Sequence, residues 1–108
     1  VKPIRSDALR DSAGHLDAEC TLRIAGVCRG RAAGNVLCHV RIGCAGVGTK
    51  PDDVCAAFGC CACHDVFDGR AGNLVKGSPD WLFYALRGIT ETTAWWIRHG
   101  FLKIEKGE

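Results

Sequence analysis

The stretch Gly59–Arg70, GCCACHDVFDGR, crowds three cysteines, a histidine and two aspartates together. Cys60 and Cys63 form a C-x2-C pair, a spacing that lets two thiolates from one tight turn reach one Zn²⁺. A tetrahedral site needs two more donors, and Cys20 and Cys28, which bracket a glycine-rich segment upstream, are the best candidates. The four together would tie the first quarter of the chain to its middle, a tether that matters greatly in a small domain. The competing reading makes Cys20 and Cys28 small buried hydrophobes. Cys38, Cys44, Cys55 and Cys61 are expected to be buried and inert.

His64 and Asp68 are four residues apart. On a helix over 62–69 they would share one face, so an imidazole and a carboxylate could chelate a second cation. Mg²⁺, Mn²⁺ and Zn²⁺ all tolerate such a pair. His64 could instead replace one cysteine at the structural zinc. Asp65 points elsewhere and reads as a solvated or dipole-facing residue. His39 lies on a predicted strand just before a glycine-rich loop, where it can face a metal site on a following helix. An imidazole's ordinary pKa suits water activation at neutral pH. Taken alone, such a histidine reads as merely packed or exposed.

The elements that must position these groups follow from local pattern. Ser6 can cap a short helix running to about Gly14, with Ala8, Leu9 and Ala13 available for packing. Residues 20–34 read as a loop or knuckle. Asn35 to Ile42 reads as a strand, with Leu37, His39 and Arg41 on one face and Val36, Cys38 and Val40 on the other. Gly43 to Pro51 is a turn-rich loop. Ser78 and Pro79 start a C-terminal helix that carries Leu82, Leu86, Ile89, Thr93, Trp96 and Ile97 at helical spacing. Gly88 leaves room for two consecutive helices. Gly100 ends the segment, and residues 101–104 could add a terminal strand.

With 108 residues the chain fits one domain, 1–108. Apolar content of 47% and charged content of 24% argue against wholesale disorder. No apolar run is long enough to span a membrane, and the first residues lack a signal-type hydrophobic stretch. A cytoplasmic location is therefore expected, and in a reducing compartment clustered cysteines point to metal rather than disulfides. Net charge is only +2, but its distribution is uneven. Between Cys20 and Lys50 every charged residue is basic; between Asp52 and Asp68 every one is acidic. A basic arm beside an acidic pocket suits a polyanion held over a cation.

The order Cys-x7-Cys, strand histidine, glycine-rich loop with an acidic residue, then CxxCH-x3-D resembles the HNH, or His-Me finger, nucleases. Over roughly residues 2–70 the chain is similar to the small prophage YbcO-type nucleases, related to the RecA-dependent nuclease Ref. KPIRSDALRDSA, ECTLRIAGVCRG, VLCHVRIGCAGVGTKPDD and CCACHDVFDGR carry the likeness. The resemblance implies an α+β fold: a ββα-metal core with a structural zinc knuckle, flanked by an N-terminal and one or more C-terminal helices. It implies that His39 is the general base, that His64 and Asp68 bind the catalytic ion, and that Asp53 braces the loop and orients the base. It matches Cys20, Cys28, Cys60 and Cys63 to the zinc knuckle. Cys38 departs from the pattern, standing where many members carry a further ligand.

The expected activity is metal-dependent hydrolysis of DNA with little sequence preference, in phage or prophage recombination or processing. Arg41, Lys50 and Arg70 are placed to grip flanking phosphates. A recombinase filament and a second copy of the chain are further possible partners; a membrane is not. The alternative is a non-catalytic zinc module that binds nucleic acid or a recombination protein. Such a module needs neither Asp68 nor a strand histidine.

Overall fold

The structure, a computed structural model, describes residues 2–30, 34–41 and 51–105. Helix α1 spans Asp7–Ser12. Strands β1 (Asn35–His39) and β2 (Ala56–Cys60) pair antiparallel, with Leu37 opposite Phe58 and His39 opposite Ala56. Helix α2 (Cys61–Phe67) follows β2 without a linker, and α3 (Pro79–Arg98) closes the fold. The result is a small α+β fold whose two-stranded sheet is followed directly by a helix.

Local chemistry sets each boundary. Ser6 Oγ accepts from Leu9 N at 3.2 Å, satisfying an amide the helix leaves open, and Leu9 and Ala13 turn inward while Ala8 stays exposed. Cys60 ends β2 and caps α2, its sulfur accepting from Cys63 N. Helix α2 thus begins one residue before the predicted 62–69, and Gly69 follows its C-cap. The strand expected to reach Ile42 ends at His39. Val40 still donates to Cys55 O at 2.8 Å, and Ile42 lies outside the described residues.

Helix α3 is one helix of about 30 Å, with Gly88 in its middle for a packing reason. A Cβ at Gly88 would lie 2.7 Å from Ala57 Cβ, so only glycine lets the helix rest on β2. The buried face is Trp81, Ala85, Gly88, Thr92 and Trp96. The apolar stripe expected from spacing is largely one position off, for Leu82, Leu86 and Ile97 are exposed. A 3.6-residue period cannot choose between two adjacent apolar stripes, and the close approach at Gly88 decides. The terminal strand expected at 101–104 does not form: Phe101 and Leu102 turn back to donate to Trp96 O.

Two packed clusters flank the hairpin. Phe58, Trp96, Leu9, Ala13 and Ala18 form one; Leu22, Ile24, Cys38, Val66, Phe67 and Trp81 belong to the other, with the four clustered cysteines at its edge. The outer edge of β2 is sealed by hydroxyls. Phe58 N donates to Thr92 Oγ1 at 3.0 Å, Thr21 Oγ1 donates to Phe58 O at 3.0 Å, and the two hydroxyls meet at 2.8 Å. Phe58 thereby satisfies both its backbone groups in a fully buried strand, as the fold requires. Among the described residues no helix is long and apolar enough to cross a membrane.

Candidate functional site

The sulfur cluster forms where the loop after α1 meets the start of α2. Cys20 and Cys28 come from that loop and Cys60 and Cys63 from the cap and first turn of α2. All four Sγ atoms lie within 4.8 Å of one another. Backbone amides converge on them: Arg23 N donates to Cys20, Gly30 N to Cys28, Arg29 N to Cys60 and Ile24 N to Cys63, at 3.4–3.5 Å. Burial alone would push Cys60 up, yet the amides of Arg29 and Cys63 and the neighbouring thiols bring it down to about 7. Burial outweighs the amides at Cys20 and Cys63, which are raised. Four sulfurs at this spacing, each with an amide donor, fit a tetrahedral thiophilic cation such as Zn²⁺, whose thiolates sit about 3.8 Å apart. Among the described residues this is the one group of three or more metal-donor side chains drawn so close.

A second constellation lies on the outward face of β1. His39 Nε2 is 2.8 Å from Asp53 Oδ1. Asp53 is fully buried and collects further donors: Ser6 N at 2.6 Å, Arg10 at 2.6 Å and Arg5 at 3.3 Å. Burial works against its charge, but the Ser6 amide, His39 and the two guanidiniums prevail and hold the carboxyl below the usual range. With Asp53 ionised, His39 donates through Nε2–H, so the neutral ring keeps its lone pair on Nδ1. Sequence reasoning misses Arg5 and Arg10, because nothing marks an N-terminal arginine as the partner of a carboxylate forty residues on.

The third group sits on α2. His64 Nε2 lies 2.9 Å from Asp68 Oδ2, as the four-residue spacing predicts. Arg70 closes over both, 3.1 Å from Asp68 Oδ2 and 3.4 Å from His64 Nδ1, and also pairs with Asp65 at 3.1 Å. Asp65 is therefore paired as well as exposed. Cys38, adjacent to His39, is buried between β1 and its neighbours. Burial raises its thiol strongly, and the charge of Asp68 raises it further. Beside His39 is a cavity of about 340 Å³ lined by His39, Arg41, Lys76, Gly77, Trp81 and Leu82.

Of the cysteines expected to be buried, Cys38 is, whereas Cys55 and Cys61 are exposed. Cys61 begins α2 and is exposed, between the buried Cys60 and Cys63. Cys44 and Lys50 lie outside the described residues.

Comparison with known proteins converges on one family. The family model described as "Putative nuclease YbcO" matches residues 7–101. The Escherichia coli (strain K12) protein "Putative nuclease YbcO" is 41% identical over 86 residues, covering 79% of this chain and 88% of that one. A protein of the same description from Enterobacteria phage 82 matches equally. A solved structure described as "a putative bacteriophage protein from Escherichia coli str. K-12 substr. MG1655" superposes with a TM-score of 0.67 at 33% identity, over 86% of this chain and 99% of that chain.

Proposed function

From its membership of the YbcO nuclease family, to which this chain belongs, we propose that it is an HNH-type, metal-dependent DNA endonuclease with little sequence preference. One observation carries the reading: the strand imidazole of His39 is anchored by a buried, multiply braced carboxylate. A histidine needed only for packing has no use for such an anchor. The hairpin followed by a helix supports a ββα-metal core, and the sulfur cluster supports a structural zinc.

His39 acts as general base. Its Nε2–H is fixed by Asp53, which leaves Nδ1 to take a proton from the attacking water. As the imidazolium forms, the Asp53 carboxylate stabilises it without itself accepting the proton. Arg5 and Arg10 keep Asp53 ionised throughout. His64 and Asp68, paired at the end of α2, would hold the catalytic ion, for which Mg²⁺ or Mn²⁺ is suited to a His and a carboxylate. A divalent ion bound there supplies Lewis-acid stabilisation of charge on the departing sugar oxygen. Arg41, two residues past the end of β1 and lining the same cavity as His39, grips a flanking phosphate.

The test is plasmid nicking by wild type and His39→Ala in Mg²⁺ or Mn²⁺. The substitution is expected to lower the rate by about 10²–10⁴-fold, the usual contribution of a positioned base. Melting temperature and zinc content should not change. Near-normal cleavage by the variant would show that His39 is not the base.

A further inference from the structure

The cavity beside His39 shares His39 and Arg41 with the chemistry just described, but the rest of its walls are unlike those of a surface that tracks a duplex. Leu82 and the small exposed edge of Trp81, whose ring is otherwise buried and stacked on Phe67, supply an apolar wall, and Arg41 and Lys76 bring two cations to it. Among the described residues no carboxylate lines it. Lys76 is exposed and makes no ion pair with any described residue, so its charge is available to a ligand. Leu82, on the first turn of α3, is 44% exposed, a large apolar side chain with no core to fill.

The volume of about 340 Å³ is at the low end for small-molecule pockets. It suits one nucleotide unit and not a stacked base pair. Resting on the nuclease reading, we infer that this cavity receives an unpaired nucleotide adjoining the scissile phosphate. Its base lies against Leu82 and the edge of Trp81, and its phosphate lies between Arg41 and Lys76. A base in a continuous duplex must be unstacked and unpaired to enter, at a cost that is least when the strand is already single. The preferred substrate is therefore single-stranded or locally opened DNA.

Binding is measured by fluorescence anisotropy with a labelled phosphorothioate dT12 strand and the corresponding blunt duplex with dA12, for wild type, Leu82→Glu and Lys76→Glu. Wild type is expected to bind the single strand about tenfold tighter than the duplex, because only an unpaired base enters the cavity. Leu82→Glu, which replaces the apolar wall by a carboxylate at a solvent-facing position, should erase the difference. Lys76→Glu, in an exposed loop, should weaken single-strand binding several-fold and serves if the first variant folds poorly. Equal or tighter duplex binding by wild type, or single-strand binding indifferent to both substitutions, overturns the proposal. Strand-selective binding without His39-dependent nicking would leave the cavity's ligand standing and remove the nuclease reading. Nicking without strand selectivity would do the reverse.

Discussion

The sulfur cluster and the imidazole–carboxylate surface meet at the same short helix yet are built on opposite terms. The four cysteines come from two distant segments, and three of them are buried. They surround one point with donors from every side, a closed site of the structural kind. His39 and His64 are each anchored through Nε2 by a carboxylate and stay partly exposed. The other side of His39 faces a cavity, and that of His64 meets the exposed Arg70. Closure suits a cation that must never leave. One-sided anchoring suits groups that must meet a substrate.

The contrast is broken most severely at Cys63. Zinc binding in small modules contributes about 10–16 kcal/mol, as much as the whole stability of a typical domain. Cys63→Ser should therefore lose cooperative thermal unfolding and bind zinc weakly, as read by metal analysis and a melt. A folded, zinc-replete Cys63→Ser protein would show that the cluster is no metal site. His39→Ala should move the other way, with chemistry lost and the fold intact. If both substitutions unfold the chain, the division between scaffold and chemistry fails.

Asp53→Asn tests the hinge between the two regimes, because Asp53 is as buried as the cysteines yet serves the open site. The substitution removes the charge that Arg5, Arg10 and His39 address, at a cost of about 1–3 kcal/mol, as for a charged hydrogen bond. Nicking should fall with it, less than for His39→Ala. Since the folded carboxyl is held below its ordinary value, its stabilisation is complete above that value, near pH 4. It is lost only as pH drops further, through the folded value. The difference in melting temperature between wild type and Asp53→Asn should shrink as pH falls below about 4. A difference that stayed level there would mean that the carboxyl is not held ionised by the fold.

These two regions are unequally legible in the amino-acid sequence. Cys60-x2-Cys63 and His64-x3-Asp68 can be read because both ends of each pair lie on one turn, where spacing alone sets distance. The partnership of Cys20 and Cys28 with them is a shorter inference than it looks, since few other thiols bracket a glycine-rich loop. Strand β2 carries no residue-level signal. AAFGC has neither alternation nor β-branched residues, because both of its faces are buried. Gly59 must also admit Cys38 and Leu22, whose side chains would lie 2.5 and 2.9 Å from any Cβ placed there. The resemblance to His-Me finger nucleases points to a second strand where local pattern does not. Arg5 and Arg10 are invisible for a different reason: a surface arginine and a carboxylate's counter-ion look identical until the chain folds.

The smallest expected effect concerns Arg70, and it separates two roles for one side chain. Its guanidinium is about half exposed, so its ion pairs with Asp65 and Asp68 contribute at most about 1 kcal/mol to stability. Arg70→Ala should therefore melt close to wild type. Yet Arg70 lies on Asp68 Oδ2, the oxygen that also meets His64. A divalent cation chelated by His64 and Asp68 must compete with that guanidinium for the same lone pairs. If Arg70 chiefly occupies the cation's place, Arg70→Ala should lower the Mn²⁺ concentration needed for half-maximal nicking a few-fold and leave DNA affinity unchanged. If Arg70 swings out to grip a phosphate once the ion arrives, the variant should instead bind DNA more weakly, and its affinity should depend less on salt by about one phosphate contact. A change in neither quantity would mean that His64 and Asp68 are not where the ion binds.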